Sequence, residues 1–262
     1  MKKNILAVGL MITLIAVSCS KNDTIDPISP EAPEVTILSM QSSQNVAQED
    51  TLIFKAKATE GSAITWSVDG KETAGKDSIY KFVSKELGAH TISVTASKNE
   101  KRTVAQTTIT VYGKYKYGTF VLNEGNMTSE NGTLIFISPK GVVTDSAYFK
   151  ANGTELGNVT QDLFIRNGKM YIISQNGKKN AVGTTFANDG MLVVANAETL
   201  KKEAAYNDEL ATLSWPTHIA VLNEQNVIIR DNAGLYRFNT ATKALTFIKG
   251  SRSAAKLTMA VS

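Results

Sequence analysis

Two stretches in the second half of the chain repeat one another. Asp162-Leu-Phe-Ile-Arg-Asn-Gly-Lys-Met-Tyr-Ile-Ile173 lines up with His218-Ile-Ala-Val-Leu-Asn-Glu-Gln-Asn-Val-Ile-Ile229. Leu163, Ile165, Asn167, Tyr171 and Ile173 fall on Ile219, Val221, Asn223, Val227 and Ile229. Alternating apolar positions on either side of Asn167-Gly168 or Asn223-Glu224 predict two strands around a tight turn. A further strand pair follows each, with Leu192-x-Val194-x-Asn196 matching Leu235-x-Arg237-x-Asn239. A unit of four strands recurring at roughly 40–55 residues is the signature of a β-propeller blade. No single blade can bury both of its faces, so each must pack on the next. The spacing predicts blades over 118–149, 158–206 and 215–249. The first, Phe120-Val-Leu122 followed by Leu134-Ile-Phe-Ile137, reads as the same unit without its first strand. Lys256–Ser262 reads as the opening strand of a fourth. Closed propellers use roughly 4 to 8 blades. The expectation is therefore an incomplete propeller of about three blades, in a fragment or truncated product, with an open edge. The competing expectation is a second compact sandwich in which the repeat is accidental.

The first half is also β-patterned. Leu52, Phe54, Ala56 and Ala58 alternate with polar neighbours. Ile64, Trp66 and Val68 do the same up to Asp69-Gly70, a hairpin signal. Strands at this spacing with no helical period predict a β-sandwich over 34–113, with Trp66 as a core anchor. His90 is expected on a half-exposed strand position rather than as a ligand. The fold class is thus all-β, a sandwich followed by propeller blades.

The N-terminus carries a targeting signal. Lys2 and Lys3 precede an apolar run from Ile5 to Val17, shorter than the about 20 residues a spanning helix needs. Ala16-Val17-Ser18-Cys19 resembles a lipobox, which implies removal of a signal peptide, 1–18, and lipidation of Cys19. Cys19 is the chain's one cysteine, so no internal disulfide framework exists. The polar, Pro-containing residues 19–33 predict an extended tether. Lys21 and Asp23 resemble a surface-export signal. The partner so implied is a membrane, reached through the lipid anchor, and the location is the outer membrane, at the cell surface. The formal net charge of +4 is small and its basic residues are scattered, which argues against a nucleic-acid partner.

Catalytic patterns are missing: there are two His and no Gly-x-Ser-x-Gly, His-Glu-x-x-His or Ca²⁺-loop spacing. No enzyme activity, catalytic residue, cofactor or metal is expected. Binding residues are sought on one face of the blades. There, the loops from second to third strand, and from the fourth strand to the next blade, converge on the central channel. This selects Asn123, Glu124 and Asn126, then Gln175 and Asn176, then Arg230, Asp231 and Asn232, with Trp215 at the entry to the third blade. Amides with one aromatic suit a large polar ligand, although Asn and Asp are also ordinary turn residues. The connection from Gln175 to Asp189 is much longer than its counterpart at Asp231–Ala233, a length that often accompanies function.

Trp66-Ser67-Val68-Asp69-Gly70, with Gly88-x-His90-x-Ile92-x-Val94, resembles a PKD-type immunoglobulin-like domain whose motif has lost a middle Gly. Phe120-Val-Leu-Asn-Glu-Gly-Asn126, Leu156-Gly-Asn-Val-Thr-Gln-Asp-Leu163 and Asn167-Gly-Lys-Met-Tyr-Ile-Ile-Ser174 resemble a Bacteroidetes family of surface propeller lipoproteins. That resemblance implies capture of a small nutrient (cobalamin in one relative) or of a glycan, for a TonB-dependent transporter. The ligand itself does not follow from a propeller fold. The alternative is an adhesive or structural surface protein using the propeller face to bind protein partners. Asp-Ser/Thr pairs at Thr24, Thr51, Ser78 and Ser146 resemble a Bacteroidetes O-glycosylation motif; strand initiation explains them equally well.

Overall fold

The computed structural model describes residues 31–179 and 182–253. Cys19, Thr24, the signal peptide and the strand expected at Lys256–Ser262 lie outside the described residues. The first eight strands are β1 (Val35–Ser39), β2 (Asn45–Ala47), β3 (Leu52–Ala58), β4 (Ala63–Val68), β5 (Lys71–Glu72), β6 (Ile79–Phe82), β7 (Gly88–Lys98) and β8 (Lys101–Tyr112). They form two sheets, β1-β3-β6 and β2-β8-β7-β4-β5. The period-2 pattern puts Leu52, Phe54 and Ala56 of one sheet against Trp66, Ile92, Val94 and Ile109 of the other. Trp66 is fully buried. Its Nε1–H donates to the Asp77 carbonyl at 2.9 Å, which satisfies the one polar group this side chain brings into the core. Asp69 and Gly70 both take positive φ, 50° and 78°, as a tight primed turn requires.

His90 departs from expectation. It is buried rather than half-exposed, at 7% accessibility. Its Nδ1 lies 2.7 Å from Asp69 Oδ2, and its Nε2 lies 3.0 Å from the Glu86 carbonyl. Because these partners accept its ring hydrogens, a polar ring fits an inward position that alternation alone assigns to the core face.

Beyond the sandwich come β9 (Thr119–Asn123), β10 (Thr133–Ile137), β11 (Val143–Thr144) and a short helix α1 (Ala147–Asn152). Next are β12 (Asn158–Arg166), β13 (Lys169–Asn176), β14 (Leu192–Asn196) and β15 (Lys202–Tyr206). The last four are β16 (His218–Asn223), β17 (Asn226–Asp231), β18 (Gly234–Asn239) and β19 (Ala244–Phe247). They make three antiparallel sheets, β11-β10-β9, β12-β13-β14-β15 and β16-β17-β18-β19, and the two complete ones are four-stranded meanders of blade type. The Thr160 hydroxyl donates to the Asn123 carbonyl at 2.6 Å, so the exit of β9 stands beside the entry of β12. Strand β9 therefore runs like β13, the second strand of its sheet. The first sheet accordingly lacks a first strand among the described residues, as the repeat predicts.

The middle sheet is covered on both sides. Met170, Ile172, Val193 and Ala195 face the first sheet with Leu134 and Phe136. Tyr171, Ile173, Leu192 and Val194 face the third with Ile219, Val227, Ile229 and Phe238. This explains why β13 and β14 read as unbroken apolar runs rather than as alternating ones. The inner strands also touch directly, where the Ile219 amide donates to Asp162 Oδ2 at 3.0 Å.

Candidate functional site

The predicted rim residues all lie at one end of the three sheets, but they divide into two groups that behave differently. Around the first and second sheets the polar side chains, Gln175 excepted, are bonded within the fold. Asn123 Nδ2 donates to Thr133 Oγ1 at 3.1 Å. Asn126 Oδ1 accepts from the Thr128 amide and hydroxyl, at 2.9 and 2.8 Å. Gln161 donates to the Glu124 carboxylate. Asn176 Nδ2 donates to Asn158 Oδ1 at 3.1 Å.

Three residues not singled out by the sequence organise this group: Asn131, Asn158 and Asn188, all buried. Asn158 Nδ2 donates to the carbonyls of Asn126 and Glu130, at 2.9 and 2.7 Å. Asn188 Nδ2 donates to Asn131 Oδ1 at 3.0 Å and to the Gly177 carbonyl at 2.8 Å. Asn131 Nδ2 donates to Glu155 Oε2 at 2.6 Å. A buried amide with several partners is a strut, since each lost partner leaves a desolvated polar group. The signal that would have found two of them is the neighbouring glycine. Asn131 precedes Gly132, and Asn158 follows Gly157. A Cβ on Gly157 would stand 2.5 Å from the Gly190 carbonyl oxygen, so the backbones meet where the amides bond.

The long connection between β13 and β14 is secured in the same way. The Phe186 amide bonds back to the Lys178 carbonyl at 2.8 Å. Asp189 accepts from Tyr148 Oη at 2.6 Å, Thr154 Oγ1 at 2.5 Å and Lys202 Nζ at 2.5 Å. Burial works to raise the Asp189 carboxyl, but hydrogen bonds from Lys202, Thr154 and Tyr148 outweigh it, and its pKa is lowered. Burial, then the bond to Asp189, pushes the Tyr148 phenol far up. Both effects fix the charge state of the cluster at neutral pH.

The third sheet differs. Residues 214–217 run beside 230–232, held from both sides. The Ser214 amide donates to the buried Asp231 carboxylate, and the Asn232 amide donates to the Ser214 carbonyl at 3.1 Å. The Thr217 amide donates to the Arg230 carbonyl at 2.9 Å, and Arg230 Nη1 donates to Thr217 Oγ1 at 3.1 Å. Between these clasps Trp215 is 46% exposed and takes a left-handed φ of 65°. A bulky residue in that region costs of order 1–3 kcal/mol and persists only where its surroundings impose it. Gln175 is buried at the end of β13, and its Oε1 has no hydrogen-bond partner among the described residues. Of the predicted rim residues, then, Asp231 is a strut and Arg230 a clasp, while Trp215 and Asn232 retain surface, and Gln175 a bonding capacity, for a ligand.

The remaining predicted modification positions fall on turns and strand edges. Thr51 and Ser78 are exposed just before β3 and β6, and Ser146 is partly buried before α1. Among the described residues no helix is long and apolar enough to cross a membrane.

The described structure thus defines an all-β protein in which a β-sandwich precedes propeller-like sheets that close no barrel. Residues 117–262 match the family described as a domain of unknown function, DUF5074. That is more than half of the chain, and the chain belongs to this family. No curated protein matches it. Among solved structures it is similar to a quinonprotein alcohol dehydrogenase-like protein from Bacteroides thetaiotaomicron, at 19% identity and a TM-score of 0.37, covering 82% of this chain and 50% of that one. It is also similar to a rhamnogalacturonan lyase from Bacillus licheniformis, at 11% identity and a TM-score of 0.22, covering 80% of this chain and 50% of that one. The chain spans about half the length of both.

Proposed function

We propose that this protein is a lipid-anchored binding protein of the outer membrane, displayed at the cell surface. In this reading Cys19 carries the lipid, and the sandwich is a PKD-like spacer. The blade rim captures a small nutrient of cobalamin type, or a glycan, and delivers it to a TonB-dependent transporter. The lipobox-like Ala16–Cys19 supports the anchor. The observation that carries the binding role is Trp215. It is a large aromatic side chain, half in solvent, on backbone clasped through Ser214 and Thr217 to residues 230–232. An exposed aromatic on rigid backbone, beside Arg230 and Asn232, offers contact area at little ordering cost.

Thermal unfolding of the full chain with cobalamin, haem or host glycans tests the rim. One ligand class is expected to raise the melting temperature, with about 2.7 kcal/mol gained at a hundredfold Kd. That gain disappears in Trp215→Ala. No gain from any class overturns the capture reading. Membrane retention of the wild type, and release of Cys19→Ala, is the expected result for the anchor.

A further inference from the structure

A cleft with apolar walls lies away from the rim. The turn 138–142 leaves β10 at the end opposite the 124–132 loop, and it meets the sandwich there. The space between them holds about 420 Å³, within the range of small-molecule sites, which favour junctions between units. Its deep walls are apolar, with Val46, Leu52 and Phe136 all buried. Tyr112 and Tyr117 flank it with ring centroids 5.1 Å apart in an edge-on pair, and Tyr117 is 55% exposed.

Its charges cancel. Lys114 Nζ lies 2.9 Å from Glu49 Oε2, and Lys140 Nζ lies 3.1 Å from Asp50 Oδ2. Both pairs bridge the sandwich and the segment beyond it. Each lysine already carries a carboxylate, so the paired charge gives an added phosphate or carboxylate little net attraction. Lys116 Nζ, 5.8 Å from the Tyr117 ring centroid, is likewise paired, with Glu198 at 2.9 Å. The other polar groups at the cleft are neutral. The Tyr112 and Tyr117 hydroxyls, Ser42 and the Asn45 side chain line the cleft or its mouth, with no side-chain hydrogen bond among the described residues. Gln48 donates through Nε2 to the Lys85 carbonyl at 2.5 Å, which leaves its Oε1 to accept. A fixed, exposed aromatic ring beside neutral hydroxyls and amides matches a sugar, whose C–H face packs on a ring while its hydroxyls both donate and accept.

We infer that the cleft between the sandwich and the first propeller-like sheet binds a neutral oligosaccharide, with Tyr117 as its stacking platform. This inference is independent of the rim reading, because cleft and rim lie at opposite ends of the sheets. Calorimetric titration of the full chain with cellotriose, maltotriose, xylotriose and chitotriose is the test, with inorganic phosphate as the charged control. At least one trisaccharide is expected to bind while phosphate does not. Tyr117→Ala should weaken that binding at least tenfold, Tyr117→Phe should retain most of it, and Trp215→Ala should leave it unchanged. An unaltered melting temperature for Tyr117→Ala separates lost contact from lost fold. Absence of saccharide binding, binding indifferent to Tyr117→Ala, or loss only in Trp215→Ala would each overturn the cleft assignment. The last of these would move the sugar to the rim.

Discussion

The second and third propeller-like sheets share a strand order and a repeat, yet their rims do opposite things. In the second, the connection from β13 to β14 is long, and near its end Asn188 and Asp189 turn inward, bonding Asn131, Tyr148 and Thr154, while Lys178, Lys179 and residues 182–185 are exposed. In the third, the equivalent connection is Asn232-Ala233, too short to fold over anything, and Trp215 stays half in solvent. The long loop is thus exposed over its middle and anchored at its end. Length let the second sheet bring Asn188 and Asp189 back against its neighbour. Brevity left the third sheet's rim uncovered.

Substitutions can break this contrast, beginning where the inward network is densest. Asn158→Ala removes one accepted and two donated bonds from a fully buried side chain. It is expected to lower unfolding free energy by about 3 kcal/mol in chemical denaturation. A loss below about 1 kcal/mol would mean the network is not a strut. Gly157→Ala drives a Cβ to 2.5 Å from the Gly190 carbonyl. Overpacking of this kind costs roughly 1–3 kcal/mol, and an Ala variant as stable as wild type would show that the two backbones can part. Tyr148→Phe deletes a 2.6 Å bond to the buried Asp189 carboxylate, with an expected loss of about 2 kcal/mol. On the third sheet, Trp215 is half exposed and joined to the fold through backbone bonds, so Trp215→Ala should lower stability by no more than about 1 kcal/mol. A large loss there would make Trp215 part of the core rather than a free rim residue.

The smallest expected effect lies in the sandwich and depends on pH. The hydrogen bond to Asp69 raises His90, against the opposing effect of burial. The Thr91 amide and then His90 lower Asp69. A raised histidine stabilises fully below its unfolded value of 6.5, and that contribution is lost as pH climbs through the higher folded value. A lowered carboxylate stabilises above its unfolded value of 3.8 and loses that contribution as pH falls through the lower folded value. The pair therefore helps most between these limits. The denaturation midpoint should fall between pH 6 and pH 8.5 in the wild type and stay level in His90→Asn. Equal slopes in the two proteins would remove His90 as the source.

Much of the fold was legible because its causes are local. Alternation marked β3, β4 and β7, Asn167-Gly168 marked the β12–β13 turn, and the repeat gave the order of strands in the second and third sheets. The missing first strand of the opening sheet was visible as a missing segment of that repeat. The site was legible only as a set of positions. Asn123, Asn126, Asn176 and Trp215 all look alike as polar or aromatic residues at strand ends. His90 looked half-exposed because alternation says which face a residue takes, not whether a carboxylate waits there.

Sequence by itself determined the period of the strands, the identity of the turns and the face that each apolar side chain presents, since these follow from backbone geometry over a few residues. Tertiary structure alone decided which amides became struts, which aromatic residue stayed in solvent and where two units left a cleft. Those outcomes depend on partners well apart in sequence, such as Asn158 with Asn126 or Lys140 with Asp50. Hydrogen bonding and burial between such partners exist only once the sheets have packed.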